Sequence, residues 1–106
     1  MSKEIVYHKL VRDKIPEIIR QSGKTCETEI LPDDEYLKML DQKLDEELAE
    51  YHQDQNIEEL ADLLEVLHAV AKARGYSIEE VDQVRVEKKK QRGGFEEKIL
   101  LKSVRE

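Results

Sequence analysis

The sequence predicts an all-α fold, a bundle based on a helical hairpin, and two observations lead to this prediction. From Asp33 to about Arg92, apolar residues recur at three- and four-residue steps, the spacing of amphipathic helices. Both prolines, Pro16 and Pro32, lie in the first third of the chain, so no proline interrupts the helices that follow. Because 106 residues suffice for one core and the composition shows no break, residues 1–106 are predicted to form a single domain.

The first third of the chain is predicted to be irregular apart from one short helix. This helix extends from Asp13, its cap, to about Ser22, and Gly23 stops it. Residues 24–31 alternate weakly between apolar and polar, which indicates a short strand or an extended segment with Cys26 buried in it.

Two longer helices are predicted next. The first begins at Asp33 or Asp34, and Asn56 caps the second, with Glu59 as its capping-box partner. The second helix ends at Gly75. Its apolar stripe is Ile57, Leu60, Leu64, Leu67 and Ala71, widened on one side by Leu63, Val66 and Val70.

The last predicted helix begins with a capping box formed by Ser77 and Glu80 and ends before Gly93. Residues 98–101 are a candidate for a short terminal strand that pairs with residues 24–31. Three main helices make a thin bundle that covers the widened apolar face poorly. We therefore expect a homodimer or homotetramer that completes a four-helix bundle across an interface.

Composition excludes several classes of protein. The net charge of −7 argues against binding a nucleic acid polymer, and no apolar run approaches the length of about 18 residues that a membrane span requires. The single cysteine excludes an internal disulfide framework and a multi-cysteine zinc site. The beginning of the chain lacks the apolar stretch of a signal peptide, so a cytoplasmic location is expected.

The charge is distributed unevenly along the chain. Residues 27–65 contain fifteen acids and two bases, whereas residues 85–92 contain five bases and one acid. Such a pattern is typical of a solvated helical surface, and it also suits an anionic ligand bridged by a metal ion.

Four carboxylates lie toward apolar faces when the two central helices are drawn as wheels of 3.6 residues per turn. Glu47 lies at the edge of the apolar stripe of the first helix and Glu50 on its flank, whereas Glu46 points to solvent. This stripe consists of Leu37, Leu40, Leu44, Leu48 and Tyr51. On the next helix, Glu59 and Asp62 lie on the side that contains the widening valines. Each pair has i, i+3 spacing and therefore occupies one side of one turn.

Four carboxylates at close quarters require compensation of their charge. Basic side chains, protonation or a metal ion could each supply it. Because the ligands are all oxygens, the metal would be Mg²⁺, with Mn²⁺ as a substitute, and not zinc. On the last helix, Arg85, Lys88 and Arg92 share one side, which indicates either compensation of the helix dipole or a phosphate clamp.

Two acidic motifs identify a resemblance. Residues 46–50 read EExxE and residues 59–62 read ExxD, in the order and on the adjacent helices typical of the all-α nucleoside triphosphate pyrophosphohydrolases. This group includes MazG, the dimeric dUTPases and phosphoribosyl-ATP pyrophosphohydrolase. The opening YHKLVRDKIPEII and the segment ending in RGGF resemble its small phosphoribosyl-ATP-pyrophosphohydrolase-like or MazG-like branch.

The resemblance implies an obligate oligomer that cleaves nucleoside triphosphates between the α and β phosphates with Mg²⁺, giving a nucleoside monophosphate and pyrophosphate. It makes four carboxylates the metal-binding and catalytic residues: Glu47, Glu50, Glu59 and Asp62. It places Lys88 and Arg92 against the phosphates, and Lys9, Arg12 and Lys14 are further phosphate contacts.

Three functions remain open at this point. A small stand-alone domain suits the removal of non-standard nucleotides, and hydrolysis of phosphoribosyl-ATP is the alternative within the same class. From another class, the chain could be a non-catalytic acidic helical oligomer that binds protein partners.

Overall fold

The computed structural model of the chain describes residues 3–106. Within that range, all regular secondary structure is helical. The predicted all-α class is therefore confirmed. Four helices follow one another along the chain: α1 (Ile15–Gln21), α2 (Asp33–Asp54), α3 (Ile57–Ala73) and α4 (Ile78–Arg92).

The predicted terminal strands are wrong. Residues 24–31 and 98–101 have no regular secondary structure, and neither segment has a strand partner among the described residues. Cys26 is half-buried in the first of these segments, and its Sγ lies 3.7 Å from the carbonyl oxygen of Pro16. A strand is stable only when a partner takes its backbone hydrogen bonds and an apolar face covers it, and Ile99 is 80% exposed.

Helices α2 and α3 form an antiparallel hairpin with a connection of two residues. Gln55 takes up the left-handed conformation with φ of 50°, and its N–H donates to the carbonyl oxygen of Tyr51, which ends α2. The side chain of Asn56 then accepts a 2.9 Å hydrogen bond from the N–H of Glu59, which begins α3 as predicted.

The hairpin buries the valine side of α3 and leaves its leucine stripe exposed. Leu63, Val66 and Val70 are half-buried, whereas Leu64 is 53% exposed and Ile57 80%. The widening side of the predicted stripe is thus the side that α2 covers. In the central stripe Ala71 is buried, whereas Ile57 and the three leucines remain 46% to 80% exposed.

Helix α4 packs loosely against α3. It begins with the predicted capping box, in which Ser77 and Glu80 exchange both hydrogen bonds, and it ends at Arg92, before Gly93. An open groove of about 700 Å³ separates the two helices, and Leu64 and Val81 lie on opposite sides of it. The groove therefore extends the exposed leucine stripe onto α4.

The overall dimensions indicate an open arrangement. The radius of gyration is 18.9 Å, whereas a compact chain of this length would have about 13 Å. Leu40 and Ala71 are the two buried apolar residues among residues 3–106, at 4% and 8% exposed. In the same range, no helix combines the length and the apolarity that a crossing of the bilayer requires.

Candidate metal centre

Three carboxylates converge at the closed end of the α2–α3 hairpin. Glu47 and Glu50 are one turn apart on α2, and Glu59 lies in the first turn of α3. One carboxylate oxygen of each residue lies within 4.8 Å of the others. Because the connection contains only two residues, the last turns of α2 face the first turn of α3, and this brings the three side chains together.

The Asn56 cap fixes the place of Glu59 in this arrangement. The Asn56 side chain holds the backbone N–H of Glu59 and so defines the first turn of α3. Of the two hydrogen bonds in the predicted capping box, only this one forms. The Glu59 carboxyl lies beside the acids of α2 and does not bond to the Asn56 backbone.

Glu47 is the most deeply buried member of the cluster. The residue is only 7% exposed, and its Oε2 has no hydrogen-bond partner. The Oε2 of Glu59 is buried and unpartnered as well. A buried carboxylate oxygen without a partner is costly, so a proton or a cation is needed at this point. Donors that are all carboxylate oxygens suit Mg²⁺ or Mn²⁺.

Lys43 compensates part of this charge. Its Nζ lies 3.4 Å from Oε1 of Glu47 and 3.5 Å from Oε1 of Glu46. Lys43 is not among the site residues predicted from the sequence, although its i, i+3 and i, i+4 spacings to these acids are visible there. The lysine pairs with one oxygen of Glu47, and the other oxygen has no hydrogen-bond partner.

The environment raises the pKa values of two cluster carboxyls. Burial raises the pKa of Glu47 above its ordinary value of 4.5, and the charge of Glu50 raises it further, against the effect of Lys43. Removal from water also raises the pKa of Glu59. The charges of Asp54, Asp62 and Glu47 raise the pKa of Glu59 further. Protonation is therefore one of the responses to the crowding of these acids.

Asp62, the fourth predicted ligand, lies outside the group of three. Its Oδ1 accepts a 2.7 Å hydrogen bond from Nη2 of Arg12, which lies in the chain before α1. The structure therefore brings together three of the four predicted carboxylates, and the fourth forms an ion pair with an arginine.

The segment before α1 adds a second base to the acidic end of the hairpin. Lys9 Nζ lies 3.9 Å from Oε1 of Glu46. The prediction that Glu46 points to solvent is wrong: this residue is half-buried and contacts Lys43 as well. A helical wheel omits what packs on a helix from elsewhere in the chain, and here that cover comes from the residues before α1.

The other predicted phosphate contacts lie apart from the carboxylates. Lys14 occupies the N-cap position of α1, forms no capping hydrogen bond with its side chain and is exposed. Lys88 and Arg92 are exposed on α4. Within the described range, none of these three side chains comes within 4.0 Å of a carboxylate. Of the five predicted bases, the structure therefore brings Lys9 and Arg12 to the acidic end of the hairpin.

Part of the chain is similar to a known protein. The chain is 63% identical over 41 residues to a protein of Mycolicibacterium smegmatis (strain ATCC 700084 / mc(2)155) described as uncharacterized. The match covers 39% of this chain and 42% of that protein, so the similarity extends over less than half of either. No family model matches the chain. No solved structure matches it either.

The raised pKa of Glu47 predicts how stability depends on pH when no divalent cation is present. This carboxyl ionises near 4.5 in the unfolded chain and at higher pH in the folded protein. The stability that protonation contributes is therefore complete below pH 4.5 and lost as the pH rises through the folded pKa. The loss is about 1.4 kcal/mol for each unit of difference between the two pKa values.

Urea denaturation between pH 4.5 and 8, in the presence of a chelator of divalent cations, measures the free energy of unfolding and tests this prediction. Glu47→Gln should reduce the decline in unfolding free energy, because it removes the ionisation. Asp45→Asn, on the exposed side of α2, is the control and should retain the wild-type decline. A wild-type stability that rises over this range would contradict the prediction and would make the Lys43 pairing the dominant effect.

Proposed function

We propose that this chain is a divalent-cation-dependent pyrophosphohydrolase that converts nucleoside triphosphates to nucleoside monophosphates and pyrophosphate in the cytoplasm. The observation that supports this most is the buried Glu47 carboxylate, which has an oxygen without a hydrogen-bond partner and belongs to a cluster with Glu50 and Glu59. The order of the acidic motifs, EExxE before ExxD, is the sequence support for this class of enzyme.

The cation proposed for the cluster is Mg²⁺, with Mn²⁺ as a substitute. Its ligands would be the carboxylates of Glu47, Glu50 and Glu59, two of which have a buried oxygen without a partner. When bound, such an ion would neutralise the acids, polarise a phosphate group and make a water molecule more acidic. Asp62 is assigned as the fourth ligand from the ExxD motif.

The reaction proposed is attack of water on the α phosphorus. The new bond joins the water oxygen to the α phosphorus, and the bond that breaks joins this phosphorus to the oxygen bridging to the β phosphorus. One carboxylate of the cluster takes the proton of the water, and pyrophosphate leaves with the bridging oxygen.

The bases assigned to the phosphates differ in their support. Arg12 and Lys9 lie at the acidic end of the hairpin, where they could contact the phosphates of a nucleotide whose cation lies in the cluster. Lys14, Lys88 and Arg92 are assigned from the sequence alone.

The substrates proposed are non-standard nucleoside triphosphates, with phosphoribosyl-ATP as the alternative within this class. A non-catalytic acidic module is the alternative from another class. A module that only displays acidic charge has no requirement for a carboxylate as buried as Glu47, which favours the enzyme.

A second copy of the chain is part of the proposal. The exposed stripe of α3 and the groove beside α4 form one apolar surface, and among residues 3–106 only two apolar residues are buried. An apolar surface of this kind on a small chain is typical of an interface. Packing two such stripes against each other would complete a bundle of four or more helices.

Binding of the divalent cation can be measured through stability. Mg²⁺ or Mn²⁺ at a hundredfold excess over Kd should stabilise the wild type by about 2.7 kcal/mol. Glu47→Gln should lose most of this gain, whereas Glu58→Gln, an exposed acid on α3, should keep it. Thermal unfolding with and without the cation distinguishes these results. A wild type that no divalent cation stabilises would favour the non-catalytic module.

Product analysis tests the reaction itself. With Mg²⁺ and a panel of nucleoside triphosphates together with phosphoribosyl-ATP, the wild type should release pyrophosphate and a monophosphate. Glu47→Gln and Asp62→Asn should lower kcat by about a hundredfold or more, the loss typical of removing one stabilising group. Glu58→Gln is the matched control and should retain activity. Release of orthophosphate instead would show that a different bond is broken and would contradict the proposal.

The assembly can be tested by changing the apolar surface. Leu64→Lys places a charge in the exposed stripe, so it should convert an oligomer into the 12.5 kDa chain. Ile30→Lys makes the same change at an apolar residue that is 95% exposed outside the helices, and it should leave the assembly intact. Light scattering after size exclusion measures the mass. A wild-type mass of one chain would contradict the proposed assembly.

A further inference from the structure

The ion pair between Arg12 and Asp62 joins the segment before α1 to the hairpin. The distance from Nη2 of Arg12 to Oδ1 of Asp62 is 2.7 Å. This is the shortest ion pair among the described residues, and the others are 2.8 Å or longer. Both side chains are partly open to solvent, at 59% and 42% exposed. The pair is therefore well formed and also accessible to a competing ion.

Asp62 lies close to the clustered Glu59 carboxyl without belonging to the cluster. It lies one turn after Glu59 on the same side of α3, and its charge acts on the Glu59 carboxyl. Its carboxylate is nevertheless held by a guanidinium instead of joining the cluster. Asp62 can exchange its partner through a change of side-chain rotamer alone, which requires no movement of α3.

We infer that Arg12 and a divalent cation compete for the Asp62 carboxylate. This inference depends on the cation site proposed above. Arg12 supplies a permanent positive charge when the cation is absent, because a guanidinium stays protonated at all ordinary pH values. When the cation binds, Asp62 turns to it as a fourth ligand, and Arg12 is released. Arg12 is thus a positioning residue that acts on the cation through Asp62.

The released guanidinium is then free for a phosphate group. A planar guanidinium forms paired hydrogen bonds with phosphate as well as with carboxylate, so the exchange gives Arg12 a new partner of similar geometry. The cation and a polyphosphate therefore each favour the binding of the other, since thermodynamic coupling between two ligands is reciprocal. Lys9, 3.9 Å from Glu46, keeps the segment on the hairpin during this exchange.

Calorimetric titration with Mn²⁺ tests the competition. Arg12→Gln should tighten Mn²⁺ binding by about two- to fivefold, the range expected when an exposed ion pair is removed. In the Asp62→Asn background, the same change should have no effect, because the contested carboxylate is gone. Arg12→Lys keeps a positive charge and should restore affinity toward the wild-type value.

Arg20→Gln is the matched control for the loss of one positive charge. Arg20 is exposed on α1 and forms no ion pair within the described range, so the change should leave Mn²⁺ affinity close to that of the wild type. If Arg12→Gln tightens binding no more than this control, or equally with and without Asp62, the competition is disproved.

A second titration separates competition from a structural role. At saturating Mn²⁺, Arg12→Gln should weaken the binding of imidodiphosphate, a polyphosphate that resists hydrolysis, while it tightens the binding of Mn²⁺ alone. A variant that weakens both would show that Arg12 only maintains the fold, and this would overturn the inference. Failure of wild-type Mn²⁺ binding would instead remove the cation site and the proposed function with it.

Discussion

The compensation of negative charge between α2 and α3 is the constraint on which the rest of the structure depends. The two-residue connection at Gln55 and Asn56 sets the register of the hairpin, and that register brings three carboxylates within 4.8 Å of one another. Helices that pack this closely with Glu47 buried require positive charge or protons nearby. Lys43 and the bases before α1 supply part of it, and they explain why an irregular segment lies against the acidic end of the hairpin.

The two sides of α3 have different roles because the chain is too short to cover both. The valine side packs on α2 and includes Glu59, whereas the leucine stripe remains exposed beside the groove to α4. A small chain buries a smaller share of its apolar surface than a large one, and among the described residues Leu40 and Ala71 alone are buried apolar residues. The same helix can therefore present a charged site on one side and an apolar surface on the other.

Local signals in the sequence predicted the helices well. The Asn56 cap and the capping box of Ser77 with Glu80 depend on hydrogen bonds within one turn, so spacing alone reveals them. The strands at residues 24–31 and 98–101 failed because a strand depends on a partner from elsewhere in the chain. Weak alternation in such short segments does not distinguish a paired strand from extended chain.

The sequence by itself determined the helical class and the convergence of Glu47, Glu50 and Glu59, because i, i+3 spacing and a short connection leave few other arrangements. Only the tertiary structure decided where the charges are balanced. It placed Asp62 against Arg12, fifty residues earlier in the chain, and so kept the fourth acid out of the cluster. Contacts between residues this far apart depend on how the segment before α1 packs on the hairpin, and periodicity within a single helix contains no information about that packing.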